Sequence, residues 1–136
     1  MSETLWYYTV TVEHTAKIMQ DGMIFEPDRE LAWFTSDDDY RIADEGQRHR
    51  IGVSRKDESF RSYEALKRLG KVDLTDQIKA ANSYQWFGTS LPVSSDKWTS
   101  VEKLTNEGWT RLTEPEKQWL RDFDLRRDVQ KTLEKS

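Results

Sequence analysis

The first strand is predicted from strict alternation over residues 5–12 of "LWYYTVTV". A period of two places alternate side chains on opposite faces of a sheet. We expect the core face to carry Trp6, Tyr8, Val10 and Val12. The other, semi-polar face would carry Leu5, Tyr7, Thr9 and Thr11. The following "EHTAKIMQDG" predicts a short helix that ends at Gly22, where a left-handed residue commonly closes a helix.

Further strands follow in the first half of the chain. "GMIFEPDRE" predicts a short strand that leads into a turn at Pro27 and Asp28, and "LAWFTS" predicts a strand that ends in an acidic run at residues 36–39. "RHRIGVS" predicts a third strand with Ile51 and Val53 on one face. Its other face would carry Arg48 and Arg50, which either meet a phosphate or protect an exposed sheet edge.

The period changes in the middle of the chain. "SFRSYEALKRLG" and "DLTDQIKAANS" predict two helices, and "SYQWFGTSLPVSS" predicts a loop or an edge strand. "DKWTSVEKLT" and "GWTRL" predict a hairpin around residues 105–108. Thr113 to Glu116 has capping-box spacing before a last helix, and the tail "RRDVQKTLEKS" is expected to be a frayed helix.

Composition limits the function classes. A chain of 136 residues suggests one domain over residues 1–136, of the α+β class. The absence of cysteine excludes disulfides and thiolate chemistry and fits a reducing compartment. There is no signal-peptide or membrane-span pattern, so we expect a cytoplasmic protein. A net charge of -4 with interspersed signs argues against general attraction to nucleic acid but leaves a local basic groove possible.

The semi-polar face of the first strand has two interpretations. Aromatic and hydroxyl side chains such as Tyr7 and Thr9 suit the wall of a ligand cleft, because rings stack on a flat ligand and hydroxyls bond its edges. The same residues are simply good strand formers on a solvated face. His14 and His49 lack metal-binding spacing, so we expect no metal site and expect both histidines at the surface.

The order of motifs resembles that of a known family. "LWYYT", then a helix ending in "DGMI", then "LAWFTS" is similar to the start of ADP-ribosyltransferase-like proteins, including DarT-type toxins and small uncharacterised relatives. The resemblance covers residues 5–36 and extends more weakly through "RIGVS" and "WFGTSLPVSSDKWTSVEKL". It implies a small split, antiparallel-rich sheet flanked by helices, with NAD as the bound cosubstrate.

The resemblance also implies roles for individual residues. Tyr7 stands where the family usually has a first-strand His, and a tyrosine cannot become cationic at neutral pH. Glu102 is the expected catalytic carboxylate, because Ser100 and Glu102 share a face of a late strand; its rivals are Glu107 and Asp96. The residues expected to bind NAD are Tyr7, Thr9, Trp33, Thr35, Ser36 and Arg50. For Trp33, Thr35 and Ser36 a buried strand with a hydroxyl turn is an equally good interpretation.

Three functions follow from these observations. The first is an NAD-dependent mono-ADP-ribosyltransferase, or an NAD-binding protein of that fold, which acts on a protein or nucleic-acid acceptor. The second is a non-catalytic nucleotide- or protein-binding factor, such as a phage or mobile-element protein that interferes with a host system. The third is an antitoxin-like or structural module without a ligand. Fold alone does not choose among them.

Overall fold

The computed structural model describes residues 4–26, 31–38, 49–57, 59–72, 79 and 82–123. The strands are β1 Thr4–Thr9, β2 Met23–Ile24, β3 Ala32–Thr35, β4 His49–Ser54, β5 Arg61–Ser62, β6 Trp86–Thr89, β7 Val93–Ser94, β8 Trp98–Thr105 and β9 Gly108–Arg111. The helices are α1 Val12–Asp21, α2 Tyr63–Arg68 and α3 Glu114–Arg121, and a 3₁₀ turn lies at Ser95–Lys97.

The sheets are antiparallel throughout the described strands. Seven strands form one sheet in the order β5-β6-β3-β1-β4-β8-β9, and β2 pairs with β7 in a separate two-stranded sheet. The expected α+β class with an antiparallel-rich core is confirmed at this level. β6 has neighbours on both sides, so the interpretation of residues 86–89 as a loop or edge strand is wrong.

Local sequence signals account for the helix ends. Thr11 caps α1 by accepting a hydrogen bond from the backbone N–H of His14 at 3.1 Å, and Gly22 closes it with a φ of 68°. Thr113 and Glu116 form the predicted capping box of α3. α2 is shorter than predicted because Arg61–Ser62 pairs with β6, and Ser62 then caps the helix.

The two faces of the large sheet differ in composition. One, the aliphatic face, packs against α1 and α3 and carries Leu5, Tyr7, Phe34, Ile51, Val53 and Val101. The other, the indole face, carries Trp6, Trp33, Trp86 and Trp109 beside Arg50 and Glu102. A smaller cluster of α2 with Trp33 and Trp86 covers one end of the indole face.

β1 is placed the other way round from the sequence prediction. Leu5, Tyr7 and Thr9 lie in the main core at 0%, 4% and 1% exposure, although they were assigned to the semi-polar face. Val10 follows the strand and is 48% exposed, so its predicted burial is wrong. Trp6 is buried as predicted, but on the indole face. Both faces of β1 are covered, and alternation alone cannot tell which one meets the main core.

Three predictions fall outside the described residues, wholly or in part. They are the turn at Pro27 and Asp28, most of the helix expected over residues 73–83, and the tail from residue 124 onward. Within the described part of the chain, no helix has the length and apolar character needed to span a membrane.

Candidate functional site

The centre of the indole face is an ion pair between neighbouring strands. Arg50 of β4 lies directly opposite Glu102 of β8. The Nη2 and Nε atoms of Arg50 lie 2.7 and 2.8 Å from Oε1 of Glu102, and the two side chains are only 9% and 13% exposed. The hydroxyl of Ser100 donates to the other carboxylate oxygen at 2.7 Å. Glu102 is therefore held at both oxygens on a rigid strand.

Aromatic rings enclose the cation of this pair. The guanidinium carbon of Arg50 lies 3.8 Å from the ring centre of Trp6 and 4.5 Å from that of Trp109. Its Nη1 donates to the hydroxyl of Tyr8 at 3.4 Å and to the carbonyl of Asp38. Cation–π contacts and these acceptors compensate for the loss of water around the charge. Because its donors point at protein atoms, Arg50 positions Glu102.

Three indole N–H groups on this face are buried without an acceptor among the described residues. They belong to Trp6, Trp33 and Trp109. A buried donor without a partner costs roughly 1–3 kcal/mol. By contrast, the indole of Trp86 donates to Asn82 at 3.3 Å, and that of Trp98, on the aliphatic face, donates to the carbonyl of Val93 at 3.1 Å. Two of the unsatisfied donors thus belong to Trp6 and Trp109, the rings that enclose Arg50, and the third belongs to Trp33 on β3 of the same face.

Residues of the "LAWFTS" motif also lie on or next to the indole face. Trp33 is 7% exposed, and its ring centre lies 5.8 Å from that of Tyr63. The hydroxyl of Thr35 is buried and accepts from the backbone N–H of Asp37 at 3.1 Å. Ser36 is half-buried at the end of β3, where its backbone N–H donates to the carbonyl of Gln85. Trp33 and Thr35 share one face, as predicted, and it is the face of Glu102.

Tyr7 and Thr9 lie on the opposite, aliphatic face. The hydroxyl of Tyr7 donates to Glu26 at 2.6 Å and lies 3.3 Å from Nε2 of His14. Burial lowers the pKa of His14, and the charge of Glu26 partly opposes this shift. Thr9 shares a hydrogen bond with Thr15 at 2.7 Å. The expectation that Tyr7 and Thr9 border one cleft with Glu102 is wrong, because the strand presents them to the core.

The structure thus brings together four of the expected site residues and separates two. Glu102, Arg50, Trp33 and Thr35 share the indole face, and Ser36 closes the end of β3. Tyr8 was not among the predicted site residues, yet it takes the position on this face that was expected for Tyr7. Tyr8 is also an aromatic residue with a hydroxyl group, one position further along the same strand. The face on which its side chain lies is known only from the pairing of β1 with β4, which places Tyr8 opposite Arg50.

The rival carboxylates lie outside this cluster. Glu107 is exposed in the turn between β8 and β9, where its backbone N–H donates to the hydroxyl of Thr105. Asp96 is exposed in the 3₁₀ turn and accepts from the hydroxyl of Ser94. Neither is nearly buried and bonded at both carboxylate oxygens as Glu102 is.

Comparison with known proteins adds no relative. No protein-family model matches the chain, and no curated protein and no solved structure is significantly similar to it. The function is therefore inferred from the residues of the indole face.

Proposed function

We propose that the domain binds NAD at the indole face and transfers ADP-ribose to a protein or nucleic-acid acceptor. The observation that supports this proposal is the position of Glu102, a carboxylate bonded at both oxygens on the sheet face that also carries the unsatisfied indole donors of Trp6, Trp33 and Trp109. The resemblance of residues 5–36 to ADP-ribosyltransferase-like proteins points to the same chemistry. The proposal includes the finer, ADP-ribosyltransferase-like assignment of the fold.

Glu102 would stabilise the reacting sugar. When the bond between nicotinamide and ribose breaks, nicotinamide leaves with the electron pair and positive charge develops on the ribose. A fixed carboxylate beside the ribose lowers the energy of that state, since the charge it meets is larger there than in bound NAD. The acceptor then bonds to the ribose carbon and loses a proton. Arg50 and Ser100 would keep the carboxylate from rotating.

The remaining residues of the face would hold NAD. The indole N–H groups of Trp6, Trp33 and Trp109 supply donors for its phosphate or amide oxygens. Tyr8, Thr35 and Ser36 supply hydroxyl groups for the ribose. In this proposal Tyr8 takes the role that the sequence assigned to Tyr7, and Arg50 positions Glu102 and does not clamp the pyrophosphate.

Nicotinamide release from purified protein tests the proposal. Cell extract provides the unknown acceptor, and Glu102→Gln should lower the rate by roughly 100-fold, because the amide keeps the size but loses the charge. Glu107→Gln is the matched control: it makes the same chemical change on the exposed turn of the same hairpin and should leave the rate unchanged. Equal rates for wild type and Glu102→Gln would refute the assignment of Glu102.

Binding without chemistry is the second candidate, and one observation favours it. Both carboxylate oxygens of Glu102 already have protein partners, and the guanidinium of Arg50 covers a face of Trp6 and of Trp109. A protein of this kind would hold a nucleotide or another protein without cleaving it. NAD binding without any nicotinamide release in extract would favour this candidate over the enzyme.

A further inference from the structure

A second concave site lies on the aliphatic side of the sheet, between α3 and the beginning of β4. Its cavity of about 410 Å³ lies within the range of small-molecule pockets, roughly 300–1,000 Å³. None of its described lining residues belongs to the set proposed above to hold NAD. The lining consists of His49, Leu112, Pro115, Glu116, Trp119 and Leu120.

Most of these lining side chains are apolar. Leu112 and Leu120 are 7% and 2% exposed and belong to the main core, so they close the inner side of the cavity. Pro115 and Trp119 are one helical turn apart and therefore lie on the same face of α3. Single exposed apolar residues are normal on a protein surface, whereas here they join the core around one hollow.

Trp119 provides a large ring surface at this cavity. It is 58% exposed, although the ring is one of the largest apolar groups of the chain. Its described aromatic contact is with Phe123, whose ring centre lies 5.4 Å away in an edge-on arrangement. Aromatic pairs gain more than simple burial of their area provides. A planar ring in the cavity would therefore be favoured over an aliphatic body of the same size.

The charge at the cavity is already balanced. Glu116 accepts at Oε1 from the backbone N–H and the hydroxyl of Thr113 at 3.1 and 3.0 Å, and its Oε2 is paired with Lys103. The hydrogen bond from Lys103, followed by those from Thr113, lowers the pKa of Glu116 to about 2. The carboxylate is thus ionised and disfavours an anion, while its pairing with Lys103 leaves little attraction for a cation.

We propose that this cavity binds a small neutral molecule of one or two aromatic rings, which packs against Trp119. Leu112, Pro115 and Leu120 cover the rest of its surface. NAD does not belong to this class, because its pyrophosphate is negatively charged. The inference is therefore independent of the function proposed for Glu102.

Titration with indole, followed by the backbone amide signals of the whole chain in proton–nitrogen NMR, tests the proposal. Indole should shift the signals of Leu112, Glu116 and Leu120, and these shifts yield the dissociation constant. Trp119→Ala should weaken binding roughly tenfold through loss of the ring contact. The matched control is Tyr84→Ala, which removes a 76% exposed aromatic side chain outside the cavity and should leave the affinity unchanged.

Charged analogues of the probe test the preference for a neutral ligand. Indole-3-acetate and tryptamine keep the indole ring and add a negative or a positive charge. Neither should bind more tightly than indole, and indole-3-acetate should bind more weakly because its carboxylate meets that of Glu116. Glu116→Gln keeps a capping-box residue at this position and should reduce the difference between indole and indole-3-acetate.

Three results would overturn the proposal. The first is that millimolar indole leaves the signals of Leu112, Glu116 and Leu120 in place. The second is equal affinity of wild type and Trp119→Ala, or equal weakening by Tyr84→Ala. The third is tighter binding of either charged analogue. The amide spectrum of each variant verifies folding. Because the probe has no nicotinamide and the variants leave Glu102 intact, failure here does not affect the proposal for the indole face.

Discussion

The two faces of the seven-stranded sheet differ in the kinds of side chains that they bury. The aliphatic face is a continuous core in which Leu5, Phe34 and Ile51 are fully buried. The indole face instead buries an ion pair between Arg50 and Glu102 and leaves three indole donors without acceptors among the described residues. The first face is what a stable fold needs, and the second contains features that add little to stability.

This difference indicates where function is to be expected. A buried ion pair can often be replaced by apolar residues without loss of stability, and unsatisfied donors are a cost to the fold. Natural proteins usually violate folding rules at functional sites. The aliphatic face therefore explains the fold, and the indole face is the better place for a ligand.

The largest expected loss of stability comes from removal of one member of the Arg50–Glu102 ion pair. Arg50→Ala should lower the free energy of unfolding by about 3–5 kcal/mol, because it leaves the carboxylate of Glu102 buried without a counter-charge. The double variant Arg50→Met with Glu102→Leu should recover most of that loss. Urea unfolding measures both. An Arg50→Ala variant as stable as wild type would show that the pair is solvated and that the two faces do not differ in burying charge.

A core truncation on the aliphatic face should cost somewhat less. Ile51 is fully buried between Tyr7 and Val101, so Ile51→Ala removes buried methyl groups and leaves a cavity. We expect a loss of about 3 kcal/mol. Val10→Ala, at a 48% exposed position, provides the control and should change stability by less than about 0.5 kcal/mol. Similar losses for the two variants would contradict the placement of the core.

The next largest loss of stability is expected where a glycine packs closely against a ring of the indole face. A Cβ added at Gly52 would lie 2.8 Å from the ring of Trp6, whereas one at Gly88 would meet the more adaptable end of Leu66 at the same distance. Gly52→Ala should therefore cost about 1–3 kcal/mol and displace Trp6 from Arg50. Gly88→Ala should cost less. Urea unfolding ranks them, and the reverse order would show that Trp6 is not fixed over β4.

Sequence patterns predicted the elements better than their orientation. The end of α1 at Gly22 and the capping box at Thr113 depend on neighbouring residues and were correctly predicted, whereas Thr11, predicted as part of the strand, caps α1. The face assignment of β1 was inverted, because Trp6 and Leu5 are both buried and alternation does not say on which side the helices pack. The pairing of Arg50 with Glu102 joins residues 52 positions apart and needs the strand order.

The smallest expected effect concerns pH on the aliphatic face. Because burial lowers the pKa of His14 from 6.5, the folded protein binds this proton less readily than the unfolded chain. The free energy of unfolding should therefore fall as pH drops below about 6.5, and this loss is complete below the lowered pKa. His14→Gln should remove that part of the dependence in urea unfolding between pH 8 and pH 5. If the free energy of unfolding of His14→Gln depended on pH as steeply as that of wild type, other groups would be responsible for the dependence.

The indole N–H signals in a proton–nitrogen NMR spectrum report directly on whether NAD binds at the indole face, because each of the six tryptophans gives its own signal. Trp6, Trp33 and Trp109 lie on the indole face, whereas Trp98 and Trp119 lie on the side of α1 and α3 and act as internal controls. Saturating NAD should shift the first three signals and leave the two controls in place. No shift, or shifts confined to Trp98 and Trp119, would contradict binding at this face.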